Sequence, residues 1–438
     1  MIARLGLVLP MVVVCVLTAL AALGVFRLSV SSMRFWWIAV IAAVVGALVV
    51  PFLAMGKSAW AEMIMLGTPA GLDFRDGLYG PAAAFSSANS AWPPLTLIFG
   101  RPFTLLSPSS GYIVYTVLVV GLGIAGVALS ANLGMRAAGE SGSDASRRGA
   151  GSLGLFFLLA LWLLTSYGFL FETERGNMDI FALFFSLLSV WWLLRFSGSV
   201  WVPAIFLAVS INLKIYPGIL LVLLFWRHRW RALLPVVVAN AALLLIAGPG
   251  NLWSFLQNNL AMQGAPSLWI GNHSAASFAY CVHAGLSWFP LWMKYPFMAI
   301  PVALWTATAV LVVRQGWSQR GAVLLAAASV PLMNLLTPVS HDYKLVLLVF
   351  PLAVLVALLL RGGANLGSPV LRSALGGLVA FTAVALHGST LLWANSNRYP
   401  LVVLVQVLVL VVVLLLRREV VPKLEQAALA QPEAGASQ

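Results

Sequence analysis

The sequence predicts an all-α fold, a polytopic bundle of transmembrane helices, on three observations. Apolar residues make up 61% of the 438 residues and charged residues only 8%, against about 25% charged in soluble domains. Apolar runs long enough to cross roughly 30 Å of hydrocarbon recur along the chain. Most of the 25 lysine and arginine residues fall in alternate connections, as is typical of cytoplasmic loops.

The apolar runs predict about 11–13 membrane segments. They lie at about 4–26, 35–54, 110–134, 151–171, 178–195, 232–248, 291–313, 321–337, 345–360, 373–393 and 400–416. We predict one transmembrane domain over 1–422, with the N-terminus outside, and a disordered cytoplasmic tail over 423–438, where polar residues and alanine replace the long apolar runs.

The stretch 199–226 differs from these spans. Two apolar halves, each too short to span comfortably, meet at Asn212, Lys214, Tyr216 and Pro217. We interpret them as a broken hairpin of two partial helices whose polar apex lines a cavity. The alternative is one long kinked helix with a snorkelling lysine. Only a hairpin places the basic cluster at 227–231 among the inside loops, so the charge pattern favours the hairpin.

Composition and motifs argue against several function classes. The net charge is +13, but the basic residues are scattered between apolar segments, which indicates loop anchors and no nucleic-acid partner. Cys15 and Cys281 are too few for a disulfide framework. The sequence contains no GxxxxGK[ST], HExxH or paired CxxC motif, so it does not support ATP-driven transport, zinc proteolysis or thiol redox chemistry.

The first long break in the apolar pattern, about 55–109, is the predicted catalytic loop. It carries Asp73, Asp76 and Tyr79 within one short span. Unpaired carboxylates cost several kcal/mol in hydrocarbon, so this loop is expected at a membrane surface or in a wet cavity. The step Trp92-Pro93-Pro94 is predicted to start a new apolar helix, because proline is tolerated in a first turn.

Two cations are candidates for binding an anion. Arg175 lies in the short turn 171–180, and its guanidinium suits a fork contact with phosphate or carboxylate. The alternative is an Arg–Glu pair that closes the turn. Lys214 stands alone at the apex of the broken hairpin and needs an anion to offset its desolvation. A lipid phosphate is the natural candidate, and a carboxylate of the bundle is the alternative.

The predicted outside loop 249–290 contains a polar turn followed by a helix of small residues. Asn272, His273 and Ser274 of this turn are candidates to bind a sugar hydroxyl or a phosphate oxygen. The alternative is that Ser274 or Asn272 caps the helix.

The junction 337–351 ends one span at Pro338 and opens the next after His341, Asp342 and Lys344. Neighbours at a helix start do not face one another, so the adjacent histidine and aspartate do not predict a nucleophile triad. The alternative to a site is a helix cap by Asp342 with an interfacial Lys344.

Together these motifs resemble glycosyltransferase family 87, a branch of the GT-C superfamily of polyprenyl-phosphate-sugar-dependent enzymes. The resemblance covers about 70–351 and rests on the order of six short motifs along the chain. They are Asp73-Phe74 with Tyr79, Trp92-Pro93-Pro94-Leu95, Arg175-Gly176-Asn177, Lys214-Ile215-Tyr216-Pro217, Gly271-Asn272-His273-Ser274, and Thr337-Pro338 through Tyr343.

The resemblance implies a GT-C type bundle whose extracytoplasmic loops and partial helices form the site. It implies an inverting transfer of a sugar, commonly mannose, from a polyprenyl phosphate to a lipid-linked or cell-envelope glycan, outside a bacterial plasma membrane. Asp73 matches the family's loop aspartate best as general base, with Asp76 as the alternative. The expected phosphate ligands are Arg175, Lys214, His341 and His273, and the expected substrate contacts are Tyr79, Trp92, Asn177, Tyr216, Asn272 and Asp342.

The expected partners are the donor, the acceptor glycan and membrane lipid, and no metal or other cofactor is expected. Asp73, Asp76 and Glu174 are nevertheless of the type that holds Mg²⁺ or Mn²⁺. A transporter or flippase of lipid-linked sugars is an alternative, but it should place charges along a path that reaches both membrane faces. A non-catalytic assembly protein is another, and it would leave the convergence of polar residues on one face unexplained.

Overall fold

The computed structural model describes residues 71–88, 92–138, 145–196, 198–263, 272–285, 288, 290–362, 375–376, 379 and 406–413. Within these ranges the chain is 86% helical and contains no strand, which confirms the all-α prediction. The predicted spans 4–26 and 35–54, the start of the catalytic loop, most of the spans 373–393 and 400–416, and the tail 423–438 lie outside the described residues.

The described helices follow one another with short connections. A π-helical stretch, Phe74–Tyr79, comes first. The α-helices are α1 Gly80–Ala84, α2 Leu95–Gly100, α3 Pro108–Ala137, α4 Ala145–Thr165, α5 Tyr167–Arg175, α6 Asp179–Arg195, α7 Trp201–Leu213, α8 Leu221–His228, α9 Leu233–Leu245, α10 Pro249–Gln263, α11 Ala275–Gly285, α12 Lys294–Arg314, α13 Gln319–Leu336 and α14 Val349–Gly362. Short 3-10 helices occupy Arg101–Leu105, Tyr216–Leu220, Arg229–Ala232, Leu291–Met293 and Asp342–Leu348.

Four runs of the described chain are long and apolar enough to cross a membrane, and six if each of two bent helix pairs counts as one span. The four are Pro108–Ala137, Leu291–Arg314, Gln319–Leu336 and Asp342–Leu359. In the most apolar 18 residues of each run, 94% of the residues of Asp342–Leu359 are buried, but only 22% of those of Leu291–Arg314. The former therefore lies at the centre of the bundle and the latter at its lipid-facing edge. These helices support a multi-pass membrane protein.

Small residues let the central helices approach closely. A Cβ atom added at Gly134 of α3 would lie 2.7 Å from the carbonyl oxygen of Ala353 in α14. Such backbone contact through small residues is a main source of helix association in lipid, where apolar side chains gain little by leaving the solvent. Helices α3 and α14 are therefore in direct backbone contact, and a larger side chain at position 134 would push them apart.

The chain is interrupted where the sequence predicts a polar apex. Helix α7 ends at Leu213, Lys214 is extended with φ −147° and ψ 131°, and Pro217 lies in the first turn of the following 3-10 helix. The chain later returns beside α7, because the amide of Asn212 donates to Asn240 Oδ1 in α9 at 3.0 Å. Lys214 therefore lies in the break between α7 and the following 3-10 helix, and belongs to neither of them.

A glycine between α5 and α6 is required by two independent constraints. Gly176 ends α5 with a φ of +73°, and an added Cβ atom would lie 2.5 Å from Cβ of Phe74. We expect Gly176→Ala to lower the free energy of unfolding by about 1–3 kcal/mol from backbone strain alone. Gly121→Ala in α3, where an added Cβ meets open space, is the matched control. Thermal unfolding in detergent measures both, and equal melting temperatures would contradict the prediction.

Candidate functional site

A cavity of about 930 Å³ opens where six parts of the chain meet. Its walls come from the π-helical stretch and the residues just before it, the segment before α2, the turn after α5, the break after α7, helix α10, and the end of α13 with the junction after it. Most of the surface area of the lining is apolar. The residues that bring polar groups to it are Asp73, Asp76, Trp92, Arg175, Asn177, Lys214, Tyr216, Asn259, Thr337, His341, Tyr343 and Lys344. The volume suits a ligand of drug size or larger.

Asp73 links the start of the π-helical stretch to the turn after α5. Its Oδ1 accepts from Arg175 Nη2 at 2.5 Å and its Oδ2 from Asn177 Nδ2 at 3.1 Å. Gly176 makes this possible, because its left-handed turn directs the residues on both sides toward the same carboxylate. Arg175 thus forms its ion pair with an aspartate more than 100 residues earlier in the chain, not with a neighbouring glutamate as the alternative reading had it.

Asp76 lies within the π-helical stretch, three residues after Asp73, and is in a different environment. Its side chain is exposed and faces the cavity. In the part of the chain that the structure describes, its carboxylate has no hydrogen-bond or ion-pair partner. The two candidate bases therefore differ, since one is oriented by two donors and the other is open to solvent.

Lys214 is held between a carboxylate and an aromatic ring. Its Nζ lies 3.8 Å from Asp179 Oδ2 and 4.7 Å from the centroid of the Trp92 ring. Asp179 is fully buried and also accepts a hydrogen bond from the Tyr216 hydroxyl. The alternative of a bundle carboxylate is therefore realised, but 3.8 Å is beyond hydrogen-bonding distance. The ammonium hydrogens of Lys214 remain available to a ligand in the cavity.

Lys344 is a second lysine in the cavity, and sequence reasoning did not place it there. Its Nζ donates to Val339 O at 2.6 Å and to Thr337 Oγ1 at 2.9 Å, and it lies 4.7 Å from the centroid of the Tyr216 ring. It has no ion pair within the described ranges. In sequence, a lysine directly before an apolar span is typical of an interfacial anchor, and only its place in the junction motif hints at a site.

Four of the predicted site residues do not line the cavity: Tyr79, Asn272, His273 and Asp342. Tyr79 donates to Leu106 O at 2.8 Å. His273 Nε2 lies 2.5 Å from Asp342 Oδ1, with both side chains buried. Asp342 therefore pairs with a histidine across the fold, 69 positions earlier in the chain.

The polar turn before α11 ties down the junction that carries the cavity residues. Asn272 donates to Pro338 O at 2.8 Å and accepts from Ser340 N at 2.9 Å. Ser274 Oγ accepts from Ser277 N at 3.0 Å, which confirms the helix-cap alternative for Ser274. In the structure, the contacts of Asn272 and His273 hold a wall of the cavity in place.

His341 lines the cavity as a neutral side chain at physiological pH. Burial, assisted by the charge of Lys344, lowers its pKa from the usual 6.5 to about 4. It can exchange a hydrogen bond with a ligand, but it adds no positive charge at pH 7. The predicted phosphate contact would then be a hydrogen bond and not an ion pair.

This depressed pKa predicts how stability depends on pH. Between pH 6.5 and about 4 the unfolded chain protonates His341 and the folded chain does not. Acidification over that range therefore lowers the free energy of unfolding, by at most about 1.4 kcal/mol per pH unit. We expect His341→Asn to lose less stability than the wild type between pH 7 and pH 5, measured by unfolding in detergent. Parallel losses in the two proteins would contradict this.

Within the described ranges, no three histidine, cysteine, aspartate or glutamate side chains converge as metal ligands. The suggested trio of Asp73, Asp76 and Glu174 is accordingly not gathered around one point.

Comparison with known families identifies the chain. A sequence model of glycosyltransferase family 87 matches residues 91–338, more than half of the protein. The chain belongs to glycosyltransferase family 87. No curated protein and no solved structure matched it. This family 87 protein is therefore a glycosyltransferase and a multi-pass membrane enzyme.

The matched range divides the cavity residues into three groups. Trp92, Arg175, Asn177, Lys214 and Tyr216 lie inside it. Asp73 and Asp76 precede it, and the junction residues from 341 to 344 follow it. The family match thus covers the cavity residues from the middle of the chain, while the geometry alone brings the groups before and after them in the sequence into the same site.

Proposed function

We propose that this family 87 enzyme transfers a sugar, mannose in our reading, from a polyprenyl phosphate to a hydroxyl of a lipid-linked or cell-envelope glycan. Transfer inverts the anomeric carbon and occurs on the extracytoplasmic face of a bacterial plasma membrane. One observation carries the proposal: a single cavity holds two carboxylates together with Arg175, Lys214 and Lys344, and the rest of its lining is mostly apolar.

The carboxylates suit the acceptor side of the reaction. The acceptor oxygen attacks the anomeric carbon on the face opposite the phosphate, and a general base takes its proton. We assign this role to Asp73. Arg175 and Asn177 orient its carboxylate with one hydrogen bond to each oxygen, which leaves two of about four lone-pair positions for the acceptor. Direct inversion requires no enzyme nucleophile.

The lysines suit the donor side. As the bond between the anomeric carbon and the phosphate oxygen breaks, its electron pair leaves with the polyprenyl phosphate, whose charge grows from one negative to two. Cations fixed in a poorly hydrated cavity stabilise such developing charge. Lys214 and Lys344 are placed for this role, while Arg175 is already engaged by Asp73. A neutral His341 supplies a further hydrogen bond.

The apolar lining suits the lipid part of the donor. Ile215, Ile219, Leu332, Met333 and Leu336 all face the cavity. Such side chains accommodate prenyl units, whereas a nucleotide would bring a second phosphate and a polar base. The same lining is available to a lipid-linked acceptor. This is why we favour a polyprenyl-phosphate donor over a nucleotide sugar.

The proposal is tested with purified enzyme in proteoliposomes. We expect label to pass from polyprenyl-phosphate mannose to a cell-envelope lipid extract, and no label to pass from GDP-mannose under the same conditions. The variant Asp73→Asn, which we expect to be catalytically impaired, gives the background level of labelled product. Movement of the intact donor between leaflets without any glycosidic product would instead support a flippase, and transfer from GDP-mannose alone would overturn the assignment of the donor.

A further inference from the structure

Helix α10, Pro249–Gln263, runs almost perpendicular to the helical run before it. Gly248, with a φ of +91°, turns the chain, and the runs Tyr216–Leu245 and Pro249–Leu260 meet at 97°. A helix of 15 residues is about 22 Å long, short of the roughly 30 Å of hydrocarbon in a bilayer. It also carries five side-chain amides. It is therefore poorly suited to span a membrane.

The apolar side of α10 points away from the protein. Trp253 is 63% exposed, Leu256 42% and Leu260 72%. At 100° per residue these three positions fall on one side of the helix. Phe255, on the opposite side, is only 4% exposed.

The inward side of α10 holds the catalytic loop. Asn251 accepts from Ser87 N at 2.8 Å, and Asn258 donates to the carbonyl oxygens of Ser87 and Ala88 at 3.1 and 3.2 Å. Asn259, next to Asn258, lines the cavity. Asparagines therefore face the site, whereas the large apolar side chains face outward beside the exposed Gln257, the reverse of a helix on a soluble protein.

We propose that α10 is a membrane-interface helix, which inserts Trp253, Leu256 and Leu260 into the headgroup region of the bilayer and holds the loop at 85–88 at that level. The proposal goes beyond the transfer reaction and does not depend on which sugar or donor is used.

The surroundings of α10 indicate that the lipid bilayer covers its outward apolar side. Helix α9 ends only three residues before α10 and exposes apolar side chains up to the bend, with Leu245 and Ile246 each 49% exposed. This outward apolar surface continues onto α10. Tryptophan beside amides is typical of the headgroup region, where one side of a helix is apolar and the other is wet.

Spin-label depth measurements test the proposal directly. Cys15 and Cys281 are first replaced by serine, and single cysteines are then placed at Trp253, Leu256, Leu260 and, as the position off the apolar side, Ser254 in separate variants. Val117→Cys, on the lipid-facing side of α3, is the hydrocarbon reference. The labelled proteins are placed in vesicles of phosphatidylethanolamine and phosphatidylglycerol. Accessibility to oxygen and to a water-soluble nickel chelate is then compared.

We expect labels at positions 253, 256 and 260 to lie roughly 5–10 Å into the headgroup and acyl boundary, shallower than the label at 117 and deeper than the one at 254. Equal access to the nickel chelate at all four α10 positions would overturn the proposal, because the helix would then be in water. Labels immobilised and shielded from both reagents would also overturn it, since a protein surface would cover this side. Neither outcome depends on transfer activity.

The second half of the proposal, that α10 holds the loop, has its own measurement. We expect Asn251→Ala to speed hydrogen exchange at the amide of Ser87 by about tenfold, the loss of one hydrogen bond, while the label depths stay the same. Unchanged exchange at Ser87 would show that the loop is held by other contacts.

Discussion

Asp73→Asn is expected to lower the rate of sugar transfer by about 10²- to 10⁴-fold, the usual contribution of a general base. Asparagine has nearly the same shape and keeps an acceptor oxygen for Asn177 or Arg175, but it cannot take the acceptor's proton. The loss should therefore fall on the maximal rate more than on the apparent affinity for the donor. Initial rates in proteoliposomes at varied donor concentration measure both quantities.

Asp76→Asn is the matched control for this variant. Asp76 lies three residues away on the same stretch and faces the same cavity, but no described residue orients it. We expect a loss of less than about tenfold. Full activity of Asp73→Asn together with loss in Asp76→Asn would move the base to Asp76. Melting temperatures of both variants show whether the broken ion pair to Arg175 also weakens the fold.

Lys214→Met is expected to produce the second large loss, about 10²- to 10³-fold in transfer, as when one donor to a developing anion is removed. Lys214→Arg should recover part of this, because a cation then still faces the phosphate. The simple variant also leaves Asp179 as a buried carboxylate without its cation. The double variant Lys214→Met with Asp179→Asn removes both charges and separates loss of catalysis from loss of folding.

Lys294 provides a control lysine in the same protein. It also lies near aromatic rings, 5.6 Å from the centroid of Tyr280 and 5.2 Å from that of Tyr295, but it does not line the cavity. Lys294→Met should therefore transfer sugar at close to the wild-type rate. Near-normal transfer by Lys214→Met, or an equal loss in both variants, would contradict a role for Lys214 at the phosphate.

The sequence by itself determined the fold class, the break at Lys214, the helix after Pro94 and the family. Each of these depends on a local property. Hydropathy over about 20 residues decides what crosses a membrane, and proline or an extended polar residue decides where a helix begins or ends. Local order along the chain was also enough to recognise Trp92, Arg175, Asn177 and Tyr216 as residues of one site, and the structure brings them to one cavity.

Only the tertiary structure decided which side chains face one another. Asp73 and Arg175 are 102 positions apart, and His273 and Asp342 are 69 apart. Nothing in the spacing of such residues indicates their partners, because contacts between helices depend on how the helices are rotated and packed. The same reason explains Lys344, which the sequence indicates as an interfacial anchor but which lines the cavity. It also explains Asn272, His273 and Asp342: the sequence predicts that they contact substrate, whereas in the structure they hold a wall of the cavity in place. A charged side chain at the end of a span reads alike in sequence whether it turns to lipid headgroups or to a site, and the packing of the surrounding helices decides between them.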